Sequence, residues 1–181
     1  GKIIGEKNNL GYLFGWNEFT AAKALYKFQN AGLITKVATE EFSFEINGNE
    51  TDFTYGTILI PVTDQVLNED EIYKLVTSVS SETGVDFYGL SSGLSPKGID
   101  MGSGSFVNLT KPEIILFIGG SVSSRDAGEI WHLFDQRYEI PITLAESERL
   151  NSIDLNQYNT IILANGSFRE WDSNAAQKIK T

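Results

Sequence analysis

The sequence predicts an α/β fold: three layers, a mostly parallel sheet with helices on both faces, laid down as two repeated lobes with an inserted β-hairpin. Three observations predict it. Short continuous apolar runs such as TILIPV (residues 57–62) and IILFI (residues 114–118) have the length and composition of strands covered on both faces. Longer stretches between such runs carry apolar residues at spacings of three and four, the period of an amphipathic helix. The order strand, helix, strand, strand starts again at Glu113, after a loop rich in Gly and Ser.

Taken in order, GYLFGW (residues 11–16) is a strand, and Asn17 is placed as the N-cap of a helix over 18–31. In that helix Ala21, Leu25 and Phe28 mark the core face, and Gly32 stands at the expected left-handed C-cap position. Residues 34–38 and 57–62 are the second and third strands. Between them Phe42, Phe44 and Ile46 alternate with polar residues. Asn47-Gly48 supplies a turn, and Phe53 and Tyr55 resume the alternation, which predicts a hairpin near residues 42–55. Ile72, Leu75, Val76 and Val79 mark a helix over 69–83 that Gly84 ends, and residues 85–90 form a fourth strand. Residues 91–110 hold Gly93, Pro96, Gly98, Gly102 and Gly104 with no periodic apolar face, and are expected to be a linker closing the first lobe, 1–109.

The second lobe, 110–181, has strands over 113–118, 142–144 and 158–164, a helix over 124–138, and a helix over 172–181 with Ala175, Ala176 and Ile179 inward. In the first lobe the corresponding helix is followed by a strand for which the second lobe has no counterpart. The chain is therefore expected to be a fragment ending within a lobe, with an exposed sheet edge at which a second copy would pair to form a dimer.

Composition narrows the function classes. With 24 Asp and Glu against 14 Lys and Arg, the net charge of -10 repels phosphate backbones, and no nucleic-acid partner is expected. No apolar run approaches the roughly 20 residues of a membrane-spanning helix. The lack of Cys removes thiolate nucleophiles and Cys-based metal sites, and the one His, His132, is a poor basis for a zinc centre, so no cofactor is expected in this chain.

Five patterns carry candidate chemistry. Gly89-Leu-Ser-Ser-Gly93 matches the G-x-S-x-G nucleophile elbow and follows a strand, but an irregular loop stands where the elbow needs a helix, which favours a plain strand-to-loop turn at Ser91. His132, with Asp126 or Asp135, has the residue types of a base and its orienting acid, yet shares the polar side of its helix with Arg125, Glu129 and Gln136, as a surface residue does. The loop Gly119, Gly120, Ser121, Val122, Ser123, Ser124 lies between a strand and a helix, where backbone amides and the helix dipole favour anions. Gly119, Gly120, Ser121, Ser123 and Ser124 are thus the candidate ligand-binding residues, with Ser123 and Asp126 also reading as a capping box. The neighbouring acids Glu40-Glu41 and Asp70-Glu71 point apart and read as surface. Trp16, Trp131, Phe14 and Phe28 suit either a sugar-stacking platform or a core, the core being favoured by their spacing.

Segments YLFGWNEFTAAKALYKFQNAG (12–32), FTYGTILIPVTDQ (53–65), GIDMGSGSF (98–106) and SVSSRDAGEIWHLFDQRYEIPIT (121–143) resemble the C-terminal region of large bacterial zinc carboxypeptidases of the carboxypeptidase A type. That resemblance implies an upstream zinc peptidase domain on the same polypeptide, secretion to the periplasm or cell surface, and α/β lobes similar to class I glutamine amidotransferases, a flavodoxin-like architecture. It carries no catalytic residue into this chain. The family's H-x-x-E metal motif fails at His132, where Asp135 stands in place of the Glu. The implied role is a non-catalytic accessory region that assists peptide hydrolysis by zinc held in the parent protein. The alternative is a small-molecule or glycan-binding module with no peptidase partner, its ligand outside the carboxyl ends of the strands.

Overall fold

The computed structural model describes residues 1–180 apart from Glu6, Asn8, Asn9 and Glu170; Thr181, expected at the end of the last helix, lies outside the described residues. Two units are distinguished, Gly1–Lys111 and Pro112–Thr181.

The first unit contains β1 (Ile3–Ile4), β2 (Gly11–Phe14), α1 (Ala21–Asn30), β3 (Lys36–Ala38), β4 (Phe42–Ile46), β5 (Asn49–Phe53), β6 (Ile58–Pro61), α2 (Glu69–Thr83), β7 (Phe87–Leu90) and β8 (Phe106–Asn108). Its main sheet runs β1-β7-β2-β6-β3-β8. Only β1 with β7 is parallel; β2 with β6 and β7, and β3 with β6 and β8, are antiparallel. The crossovers β2-α1-β3 and β6-α2-β7 interleave, each pair enclosing one strand of the other. The resulting order β7-β2-β6-β3 is the split β-α-β plan of ferredoxin-like sheets.

This corrects the expectation of a parallel sheet and of a plan repeated in both halves. Continuous apolar strands report that both faces are covered, and they say nothing about direction. Tyr12, Phe14, Ile58, Ile60 and Phe87 face α1 and α2, packing on Ala24, Phe28, Ile72, Val76 and Val79. Leu13, Ala38, Leu59, Leu90 and Phe106 face the other way, onto Phe42, Phe44, Ile46 and Phe53 of the β4-β5 hairpin. Burying such side chains stabilises the fold by about 1.5–3 kcal/mol each relative to exposure. Phe14, Phe28 and Phe87 form one ring cluster, with centroids 5.0–6.2 Å apart.

Local signals set the element ends. Asn68 and Glu71 form a reciprocal capping box at the start of α2 (3.0 and 2.9 Å). Ahead of α1 the backbone turns once, Ala21 N–H donating to the Glu18 carbonyl at 3.0 Å, so that helix begins after Thr20 rather than after Asn17. It closes with Gly32 N–H on the Gln29 carbonyl and Leu33 N–H on the Phe28 carbonyl, both 3.0 Å, a Schellman ending. Asn47 (φ 52) and Gly48 (φ 77) form the hairpin turn.

Residues 91–105, part of the linker expected to close the first lobe, belong to the first unit and cover the hairpin. Ser43 N–H donates to the Lys97 carbonyl at 2.8 Å, Ile99 is buried, and the segment ends in the edge strand β8. Gly98 (φ 88) makes this close approach feasible, because a Cβ there would strike the backbone of Glu41 and Phe42.

The second unit contains β9 (Ile114–Ile118), α3 (Ser124–Trp131), β10 (Ile142–Glu146), β11 (Thr160–Leu163) and α4 (Ser173–Lys180). Its sheet is parallel, in the order β10-β9-β11. Alternate residues of β9 serve opposite faces: Leu116 packs with Ala127 and Ile130 of α3, whereas Ile115 and Phe117 pack with Ala175 and Ile179 of α4. Ala176, expected inward, is exposed. Beyond α3 residues His132–Arg137 continue as a π-helical turn, with Tyr138 N–H reaching the Leu133 carbonyl at 3.0 Å.

Candidate functional site

At the carboxyl end of β9 the chain passes through two left-handed residues, Gly119 (φ 75) and Gly120 (φ 56), before entering α3. The strand order reverses here. The chain reaches β10 on one side of β9 by way of α3, then β11 on the other, and α3 and α4 lie on opposite faces. Such a switch point is where open α/β sheets hold ligands.

Much of this loop's polarity is committed internally. Val122 N–H donates to the Gly119 carbonyl (3.0 Å) and Ser123 N–H to the Asn165 carbonyl (2.7 Å), and Val122 bridges Gly166. The Ser123 hydroxyl accepts from Asp126 N–H at 3.3 Å as the cap of α3. Of the residues singled out from the sequence, Gly119 and Ser124 line a groove, Ser123 is a cap, and Gly120 and Ser121 are exposed.

The groove, about 340 Å³, is walled by Ile118, Ala127, Trp131 and Leu144, with Gly128 on the helix side and Glu146 and Ser124 as its polar groups. Trp131 is 37% and Leu144 44% exposed. The Glu146 carboxylate at the end of β10 occupies the space a Cβ on Gly119 would need. With Asp126 in the first turn of α3, it makes this end of the sheet a poor site for an anion, against what the loop alone suggests. An aromatic face beside a carboxylate and a hydroxyl suits a neutral polyhydroxylated or cationic ligand. Glu146 was missed because its approach to Gly119 arises only from the β9-β10 register; a carboxylate ending a strand of an α/β sheet was the available signal.

The other sequence candidates occupy surface, capping or core positions of their own units. Ser91 is exposed in the first unit and leads into a loop in which Leu94 N–H donates to the Ser92 hydroxyl at 3.1 Å, with no helix to aim it. His132 is exposed in the second unit. Glu40 accepts from the Ser105 hydroxyl at 2.6 Å, Asp70 pairs with Lys7 at 2.8 Å, and Glu71 is a cap. Lys7 holds the Asp70 carboxyl below its usual value by a hydrogen bond and by its charge. Phe14 and Phe28 are core, while Trp16 is 48% exposed.

Among the described residues no three His, Asp or Glu side chains gather as a metal site. Nor is any described helix long and apolar enough to cross a membrane. No family model matches the chain, and neither a curated protein nor a solved structure matches it.

Proposed function

We propose that this chain is a non-catalytic accessory region of a secreted zinc-dependent metallocarboxypeptidase, serving a zinc domain upstream on the same polypeptide. The observation that carries this reading is where the four family-like segments fall. They supply β2 and α1, β6, the Gly98 crossing over the hairpin, and the loop and helix that wall the groove. Residues under that packing constraint are those a shared fold would keep, which supports the reading. For the second unit, the β10-β9-β11 order with helices on both faces supports an amidotransferase-like, flavodoxin-like lobe. The first unit has a different plan and is not offered as a copy.

Deleting this region from the full-length protein is expected to lower kcat/KM on peptide substrates or shift their preference, with zinc content unchanged. An enzyme with unaltered kinetics would sink the proposal. An open reading frame upstream that lacks both H-x-x-E and a signal peptide would argue equally against it.

The groove favours a second reading, a small-molecule or glycan-binding module. In a thermal-shift screen of sugars, peptides and nucleotides, a hit whose stabilisation vanishes in Trp131→Ala would support it. A hit that survives the substitution, or no hit at all, would count against it.

A further inference from the structure

The first unit holds a different cavity, about 500 Å³, over the hairpin side of its sheet. Leu10, Ile34, Leu59, Pro61 and Met101 give it an apolar lining, and Lys36 and Asn108 stand among them. Register fixes where these two point. Lys36 on β3 is paired directly with Leu59 on β6 and with Asn108 on β8. Directly opposed residues of antiparallel strands share a face. Leu59 belongs to the cluster on the hairpin side, so Lys36 and Asn108 rise side by side from that face of the sheet.

Lys36 is half-buried and makes no ion pair among the described residues, although acids outnumber bases 24 to 14 and Asp64 lines the same cavity. The Asn108 side chain likewise has no hydrogen-bond partner among the described residues. The walls are nevertheless fixed. The Gln65 side chain donates to the carbonyls of Ile34 (3.0 Å) and Pro61 (2.7 Å) and accepts from Ile34 N–H (2.8 Å), tying two wall loops together. Leu10 N–H is bonded to the Leu90 carbonyl (2.7 Å) and Met101 N–H to the Gly93 carbonyl (3.0 Å). A held apolar cavity lined by one unspent cation and one unspent amide is the complement of an apolar tail ending in a carboxylate.

We propose that this cavity binds a small apolar carboxylate, with the carboxylate on Lys36 and Asn108 and the tail against Leu10, Ile34, Leu59 and Met101. Asp64 on the rim disfavours ligands bearing a second negative charge. The proposal does not depend on the peptidase reading or on the groove of the second unit.

The test is a titration of this chain with 4-methylpentanoate, followed by methyl resonances, with 4-methylpentanamide as the uncharged match. Saturable shifts at Ile34, Leu59 and Met101 are expected, with the acid binding at least about tenfold more tightly than the amide, a factor that corresponds to about 1.4 kcal/mol. Lys36→Met should abolish that preference, while Lys97→Met, with the same change in net charge at an exposed site, should keep it. Asn108→Asp, exposed and on an edge strand, should weaken the acid and spare the amide, which keeps the test open if Lys36→Met does not fold. Equal binding of acid and amide, shifts at other residues, or a preference that survives Lys36→Met would overturn the proposal.

Discussion

The two sheets of this chain are built from strands of similar apolar character and yet are covered differently. In the first unit β2 and β6 are buried along their whole length, covered by two helices on one side and on the other by a hairpin with its crossing loop, beside which the cavity at Leu59 and Pro61 opens. In the second, β9 alone approaches that state: β10 and β11 are its edges, and Leu144 and Leu163 are 44% and 46% exposed. Gaps in coverage, more than strand direction or composition, decide where a surface can receive a ligand: beside Leu59 and Pro61 in the first unit and at the groove in the second. The groove at Trp131 and Glu146 lies where a helix covers the parallel sheet incompletely.

Five substitutions sharpen or break this contrast. The largest effect is expected for Phe87→Ala, which opens a cavity within the Phe14–Phe28–Phe87 cluster and should cost about 3–5 kcal/mol in denaturant unfolding of the first unit. Next, Ile60→Ala in the sealed sheet should cost about 2–5 kcal/mol, and Ile161→Ala in the half-covered strand β11 less than half as much as Ile60→Ala; equal losses would remove the contrast. Gly98→Ala combines an unfavourable φ with a backbone collision and should cost about 1–3 kcal/mol, its perturbation confined by amide shifts to the hairpin and its covering loop.

The smallest effect is electrostatic. Glu82 near the end of α2 contacts Lys23 and Lys27 of α1 at 2.9 and 3.0 Å, and their hydrogen bonds hold its carboxyl below the usual glutamate value. Because the folded value is the lower one, this stabilisation is complete above the ordinary glutamate pKa and is lost as pH falls through the depressed value. The carboxylate is partly exposed, so Glu82→Gln should cost only about 0.5–1 kcal/mol at neutral pH and nothing in strong acid, as urea midpoints across pH would register.

What could be read from the sequence was whatever is decided locally. The hairpin followed from alternation and Asn47-Gly48, and α2 from the spacing of its apolar positions and from Gly84, because periodicity, turns and helix ends are settled between near neighbours. The interleaved order of the first sheet was hidden because TILIPV would look the same in a parallel sheet and in an antiparallel one sealed on both faces. Strand β8 was hidden for another reason. Its three residues follow a Gly- and Ser-rich stretch, and their partner on β3 is remote in sequence. The same distinction applied to the sites. The loop from Gly119 to Ser124 announced itself, whereas Glu146 beside Gly119, and Lys36 beside Asn108, are products of strand register.

Native-state amide hydrogen exchange tests the difference in coverage most directly. The account predicts uniformly slow exchange along β2 and β6, and in the second unit slow exchange only in β9 and in those amides of β10 and β11 that face it. Protection of β10 and β11 along their full length, at the level of β2 and β6, would contradict it.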